Sequence, residues 1–138
     1  MSQEQEVQNA HDLFYTALNR ALIGDPSAMA EAWWHDDPIT AMHPIGGCAT
    51  GWEQVWLTWQ ELAASISEGR VEVTDLRIHV LGQVAYTVGI EHVSSFFAGE
   101  WVHFDSRVTN IFLCKEGVWK MLHHHVDKAP GLQTAAQA

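Results

Sequence analysis

The feature that most constrains the fold is a change of hydrophobic period near Gly69. Before it, apolar residues recur at intervals of three and four, which is typical of helices; after it they alternate, which is typical of strands. Short turn signals separate four β-rich runs. These runs are VEVTDLRIHVL, QVAYTVGIEHVSSFF, WVHFDSRVTNIFLC and VWKMLHHHV. The second half of the chain is therefore predicted to be an antiparallel meander.

The first half predicts three helices and one brief strand, ITAMHP, before the third helix. Pro38 ends the second helix, and Gly69 is predicted to end the third. Each helix has a residue pair that favours its start. These pairs are Ser2 with Gln5, Asp25 with Pro26, and Thr50 with Glu53.

This order of elements predicts an α+β fold, with helices packed on one face of a curved antiparallel sheet. Because the helices cover only part of the concave face, the remainder is expected to form a pocket. A slip of apolar parity near Asp75 predicts a β-bulge. We expect one domain over residues 1–127 and a loosely ordered tail over residues 128–138.

The charge balance excludes some partners. The chain has 17 acidic and 7 basic residues and a formal charge of -10, with no basic stripe that could bind the phosphates of a nucleic acid. The polar, acidic start does not resemble a signal peptide, and no apolar run has the length of a membrane span. A cytoplasmic protein is predicted. Cys48 and Cys114 lack a CxxC context and are interpreted as a reduced pair of small core residues.

Four segments, taken in order, resemble the nuclear transport factor 2-like superfamily, in its SnoaL-like and ketosteroid-isomerase-like branch. They are FYTALNRALIGDPSAM, HDDPITAMHPIGG, TGWEQV and FLCKEGVWKMLHHHVDK. The resemblance implies a cone-shaped sheet with three N-terminal helices around a pocket, a homodimer formed through the sheet, and no cofactor. The superfamily includes isomerases, polyketide cyclases and dehydratases as well as noncatalytic binding and association domains, so the residues of the pocket must decide the function.

The resemblance also suggests where a base and an oxyanion donor would lie. The catalytic aspartate of ketosteroid isomerases corresponds to His43 in AMHPIGG, and a histidine can replace a carboxylate as general base. The tyrosine that stabilises the enolate corresponds to Phe14, with Tyr15 expected to point a helical step away. Steroid isomerisation is therefore not predicted.

Three consecutive histidines occupy the last predicted strand. Because side chains alternate between faces, His123 and His125 share one face and His124 takes the other. With Lys120 outside, His123 and His125 are predicted to point inward and to partner His43 in acid–base catalysis. The alternative is that these imidazoles form hydrogen bonds on a half-buried sheet or contact a second subunit.

A metal site is the competing interpretation of the histidines. Two histidines at positions i and i+2, with a third from another strand, could fill three positions of a tetrahedral zinc site. The spacing is far less specific than HExxH, so no metal is predicted. The histidines considered were His35, His43, His103, His123 and His125.

Four further residues are predicted to contact a ligand. Trp34 and Trp56 are expected to form flat walls of the pocket, and Arg107 or Asn110 to orient the ligand. A cross-strand ion pair with Glu91 is the alternative for Arg107. His103 and Asp105 are expected on the solvent or interface face.

The sequence thus predicts cofactor-independent acid–base catalysis on a small apolar carbonyl compound, such as isomerisation, cyclisation or dehydration. A noncatalytic ligand-binding or association domain is the first alternative. A metal-dependent enzyme that uses the histidine cluster is the second.

Overall fold

Three helices and six strands make up the part of the chain that the structure, a computed structural model, describes: residues 1–44 and 46–127. In chain order they are α1 (Gln3–Ala21), α2 (Met29–Ala32), β1 (Thr40–His43), β2 (Gly46–Thr50), α3 (Trp52–Ser65), β3 (Ile66–Leu81), β4 (Val84–Phe97), β5 (Glu100–Lys115) and β6 (Val118–Asp127). The predicted α+β class, with three helices on a curved sheet, is confirmed. The tail over residues 128–138 lies outside the described residues, so its loose order stays a prediction.

The helix starts were predicted with mixed success. Ser2 caps α1 through a 3.1 Å hydrogen bond that its Oγ accepts from the backbone N–H of Gln5, as predicted. The expected cap at Thr50 is wrong: the N-cap of α3 is Gly51, whose φ of 79° favours glycine.

None of the three helices in the described part of the chain is long and apolar enough to cross a membrane.

Gly69 does not end a helix. The third helix ends at Ser65, and Gly69 lies buried inside β3, where its backbone N–H donates to the carbonyl of Leu22. A Cβ at this position would lie 2.8 Å from the Cβ of Leu22, so glycine permits the close approach of the segment after α1 to the sheet. The second helix is also shorter than predicted, because Asp25 forms a turn with Ser27 and α2 starts only at Met29.

The six strands form one sheet in the order β2-β1-β6-β5-β4-β3. All neighbours are antiparallel except β1 and β6, which run parallel. The predicted bulge near Asp75 is confirmed by a register shift between Thr74 and Arg77. One unpredicted bulge lies in β6: Phe112 pairs with Met121 and Ile111 with His123, which leaves Leu122 as the extra residue.

Large side chains fill the space between the helices and the concave face of the sheet. Trp33, Trp59 and Phe14 contact one another edge to face or tilted, with ring centroids 5.8 to 6.3 Å apart. Phe112 and Met121 complete this fully buried group from the sheet. The centre of the cone is therefore packed, and the cavity described below lies to one side of it.

Candidate functional site

A cavity of about 250 Å³ lies between β1, β2 and α3. Among the described residues, its lining includes no carboxylate, ammonium or guanidinium group and one imidazole. Its lining consists of Ala41, His43, Gly46, Gly47, Cys48, Ala49, Gln54, Leu57 and Thr58. Several of these residues are exposed, so the cavity opens to the surface and suits a small uncharged ligand.

His43, at the end of β1, is the imidazole of this cavity. Its Nε2 lies 2.9 Å from the Oγ1 of Thr58, and that hydroxyl donates its single hydrogen to the carbonyl of Val55 at 2.7 Å. Thr58 must therefore accept from the Nε2–H of His43, which leaves the lone pair on Nδ1. No other described residue forms a hydrogen bond with this ring.

The environment of His43 keeps the imidazole neutral. Burial disfavours the charged form and lowers its pKa from 6.5 to about 4. The indole of Trp59 meets the ring edge to face, with centroids 4.6 Å apart. Near neutral pH, His43 thus presents an available lone pair on Nδ1 beside an uncharged cavity.

The second inward imidazole is His124, which contradicts the face assignment made from the sequence. His124 is buried, and its ring centroid lies 6.0 Å from that of His43. The predicted inward positions of His123 and His125 are wrong, because the extra residue Leu122 reverses the alternation after Met121. The sequence carries no signal for this bulge.

His124 ends a chain of buried hydrogen bonds that crosses the interior. The hydroxyl of Tyr15 donates to Glu91 Oε2 at 2.7 Å and accepts from Asn110 Nδ2 at 3.1 Å. The Oδ1 of Asn110 accepts from His124 Nδ1 at 2.6 Å. All four side chains are less than 8% exposed, so water screens this chain weakly.

Burial shifts the pKa values along this chain. It raises the pKa of Glu91 from 4.5 to about 7, against the opposing effect of the hydrogen bond from Tyr15. Burial, with the nearby charge of Glu91, raises the pKa of Tyr15 well above its usual value. Burial, followed by the proximity of His43, lowers the pKa of His124 well below 6.5. Such shifts concentrate at functional sites.

Two members of this chain were missed by the sequence interpretation. Tyr15 does not point away from the interior: α1 buries a stripe wide enough to include both Phe14 and Tyr15. Glu91 does not pair with Arg107, because it lies opposite Ser106 on the inner face while Arg107 is exposed on the outer face. The one available signal in the sequence was the alternation of β4, which puts Glu91 on the same face as the buried Val93.

The other predicted site residues lie away from the cavity. His123 Nδ1 is 2.6 Å from the hydroxyl of Thr40, and His125 Nε2 is 3.8 Å from a carboxylate oxygen of Asp127. Arg107 is exposed. His103 and Asp105 are also exposed, as predicted. Asn110 alone among the predicted ligand-orienting residues points to the interior.

The two tryptophans predicted as pocket walls do not line the cavity. The indole N–H of Trp34 donates to the carbonyl of Leu113 at 2.8 Å, and the amine of Lys115 lies 4.8 Å from the ring centroid. Trp56 stacks on Trp52 along the surface of α3, with centroids 5.5 Å apart. Both rings are partly buried against the core and are not among the residues that line this cavity, so their role as walls of a ligand pocket stays a prediction.

Within residues 1–44 and 46–127, no three side chains of the metal-ligating types converge on one point. The five histidines considered for a metal are instead dispersed. His35 stacks on Trp52, and His103 forms a 2.8 Å hydrogen bond with Ser94. Cys48 and Cys114 are both free thiols, but the prediction that both are core residues is wrong, because Cys48 is exposed at the mouth of the cavity.

The outer face of the sheet carries a hydrogen-bonded chain of its own. Thr74 Oγ1 lies 2.7 Å from His92 Nε2, and His92 Nδ1 lies 2.6 Å from Asp105 Oδ1. These side chains are partly or largely exposed, and they do not line the cavity beside His43. This chain links three neighbouring strands.

Comparison with known proteins agrees with this architecture. The model of the SnoaL-like domain matches residues 7–127. The chain belongs to the SnoaL-like domain family. The F-box protein SKIP8 from Arabidopsis thaliana is 29% identical over 114 residues, which cover 81% of this chain and 45% of that protein. The chain thus spans about half the length of this curated relative.

Solved structures similar to this SnoaL-like domain confirm the nuclear transport factor 2-like fold. A Streptomyces avermitilis protein, named as a dehydratase of that family, is 22% identical over 91% of this chain and 95% of its own, with a TM-score of 0.79. A superfamily member from Salmonella enterica is 18% identical over 90% and 89% of the two chains, with a TM-score of 0.80. At these identities the likeness shows the fold alone.

Proposed function

We propose that this SnoaL-like domain binds a small, uncharged carbonyl compound and catalyses proton transfer on it without a cofactor. One observation carries the proposal: His43 lines an uncharged cavity with a neutral imidazole whose Nδ1 lone pair is available. A charged ligand would find no opposite charge among the lining residues. An apolar molecule with one carbonyl group matches the lining better.

In this mechanism Nδ1 of His43 removes a proton from the carbon next to the carbonyl group. The hydrogen bond from Nε2–H to Thr58 holds the ring and fixes which nitrogen acts as the base. The low pKa of the resulting imidazolium favours return of the proton. Return to a different carbon gives isomerisation. Transfer of the proton from His43 to a hydroxyl group on the next carbon, which then leaves as water, gives dehydration.

Gln54 is suited to stabilise the oxygen of the enolate. Its side-chain Oε1 accepts a hydrogen bond from the backbone N–H of Thr50 at 3.0 Å, so the amide NH₂ remains as a donor at the cavity wall. A donor aimed at a developing negative charge lowers the barrier of such a step. The geometry favours His124 over His123 or His125 as the neighbouring imidazole, although the roles of those two residues stay predictions.

The test is exchange of deuterium from solvent into the carbon next to a carbonyl group, which needs no knowledge of the product. A panel of small ketones and aldehydes is incubated with the protein in D₂O and followed by proton NMR. We expect exchange with wild type, a loss of at least about 100-fold in His43→Gln, and little change in His35→Gln, whose ring stacks on Trp52 outside the cavity. Undiminished exchange in His43→Gln would refute the assignment of the base.

A noncatalytic association domain is the second candidate. The outer face of the sheet carries half-buried apolar side chains, and one similar structure is named as an association domain of a calcium/calmodulin-dependent protein kinase. These side chains are Val88, Ile90, Ile111 and Leu113. We propose that this face forms the homodimer predicted from the sequence. The cytoplasmic location also stays a prediction.

Native mass spectrometry of untagged protein tests both candidates together. A dimer that carries a bound small molecule supports the pocket protein. If Ile90→Lys makes the dimer dissociate, and deuterium exchange is absent in wild type and in the variants, the result supports the association domain alone. A monomer would refute the homodimer.

A further inference from the structure

We propose that Glu91, Tyr15 and Asn110 are positioning residues: their directional hydrogen-bond chain decides which ring nitrogen of His124 carries the proton. The chain of hydrogen bonds from Glu91 to His124 is continuous, with donor–acceptor distances of 2.7, 3.1 and 2.6 Å. It reaches an imidazole that is itself beside the proposed base, His43. Only its effect on His43 rests on the proposed function; its effect on His124 does not.

The direction of the chain follows from the chemistry of its first member. An ionised carboxylate has no hydrogen, so Glu91 can only accept, and the hydroxyl of Tyr15 must donate to it. The oxygen of Tyr15 must then accept, which requires the NH₂ group of Asn110 on that side. The amide oxygen of Asn110 therefore faces His124 and can only accept from an Nδ1–H. The lone pair of His124 is left on Nε2.

A protonated Glu91 permits the opposite direction. It can donate to the oxygen of Tyr15, whose hydrogen then turns to Asn110. With the amide rotated by half a turn, Asn110 donates to Nδ1, and the proton of His124 moves to Nε2. A buried chain of this kind satisfies every member in either direction, so an ionised Glu91 allows one arrangement and a protonated Glu91 allows both.

Other polar groups around the chain do not force a direction. The ring of His11 lies against that of Tyr15, with centroids 4.6 Å apart, and Ser106 sits opposite Glu91 on the next strand with its hydroxyl unbonded. His124 is affected electrostatically by His43, His123 and His125. None of these groups donates to or accepts from the chain within the described residues, so the direction is set at the Glu91 end.

The tautomer of His124 matters because its ring lies 6.0 Å from that of His43, centroid to centroid. A neutral imidazole is a dipole whose orientation reverses when the proton changes nitrogen. In a weakly screened interior this reversal changes the electrostatic potential at His43. Glu91 is thereby coupled to the base strength of His43 without touching the ligand.

The experiment is a long-range proton–nitrogen NMR correlation on the intact ¹⁵N-labelled protein, which distinguishes the protonated from the unprotonated ring nitrogen of each histidine. We expect wild type at about pH 8.5, above the pKa of about 7 for Glu91, to show His124 with its proton on Nδ1 alone. Glu91→Gln, whose amide can both donate and accept, should show a mixture of both tautomers. Tyr15→Phe, which interrupts the chain, should show the same.

Asp105→Asn is the matched control, because Asp105 bonds to Nδ1 of a different histidine, His92, on the outer face. It should alter the His92 signals and leave His124 unchanged. Folded Glu91→Gln and Tyr15→Phe variants that both retain the single wild-type tautomer would overturn the proposal. Since this readout requires no turnover, an inactive protein with the expected tautomers would refute the proposed function and leave this inference standing.

Discussion

Two hydrogen-bonded chains cross the same sheet, one on each face. On the inner face, Glu91, Tyr15 and Asn110 lead to His124; on the outer face, Thr74 and Asp105 flank His92. Both chains combine a carboxylate, a hydroxyl and an imidazole, and both contain contacts of 2.6 to 2.7 Å. Their residue types therefore do not distinguish them.

The two hydrogen-bonded chains differ in their exposure to water. The inner side chains are almost fully buried, whereas the side chains of His92 and Asp105 are 33% and 58% exposed. A polar group without a partner is costly in the interior, but water replaces a lost partner at the surface. The inner chain is therefore expected to govern stability and protonation, and the outer chain to contribute little to either.

The largest effect is expected from removing one member of each chain. Asn110→Ala leaves the hydroxyl of Tyr15 and the Nδ1–H of His124 buried with fewer partners, and should lower the free energy of unfolding by about 3 kcal/mol. Asp105→Ala should lower it by less than about 1 kcal/mol. Urea denaturation of both variants measures the difference. Equal losses would show that burial does not separate the two chains.

An effect of comparable size that depends on pH should come from Glu91. Its pKa is raised from 4.5 to about 7, so the folded protein holds a proton that the unfolded chain releases between these values. The contribution of this proton binding to the free energy of unfolding is fully present below about pH 4.5. It is lost as the pH rises through 7, and the loss is roughly 3 kcal/mol. Glu91→Gln should remove this loss in denaturation curves between about pH 5 and 8. An unchanged pH dependence would contradict the assignment.

His43 should show the opposite sign and the smallest effect. Its pKa is lowered from 6.5 to about 4, so its contribution is present above 6.5 and is lost as the pH falls toward 4. Because His43 is only partly buried, we expect a loss of about 2 kcal/mol. Unfolding of His43→Gln should be less sensitive to acid than that of wild type. His35→Gln, an exposed histidine, provides the comparison.

Much of the fold was predictable because it depends on local patterns. The change of period near Gly69 indicates where helices give way to strands, Ser2 caps α1 as expected, and the parity slip at Asp75 marks a real bulge. Gly69 itself was misinterpreted as a helix end. The sequence alone does not distinguish a glycine that ends a helix from one that allows two backbones to approach closely.

The candidate site was predictable in part. His43 was identified by its resemblance to the position of a catalytic residue, and it does line the cavity. His123 and His125 were assigned to the wrong face because strict alternation fails at Leu122. A single extra residue in a strand reverses every later side chain, and nothing in the letters LHHHV reveals it.

By itself, the sequence determined the helical and extended segments, because local periodicity encodes which face of each segment is apolar. Tertiary structure decided which polar groups lie together. The contacts of Tyr15 with Glu91 and of Asn110 with His124 join residues 76 and 14 positions apart, respectively, and depend on strand register and on the position of α1. Only packing removes water from these groups, and the removal of water gives Glu91 and His43 their shifted pKa values.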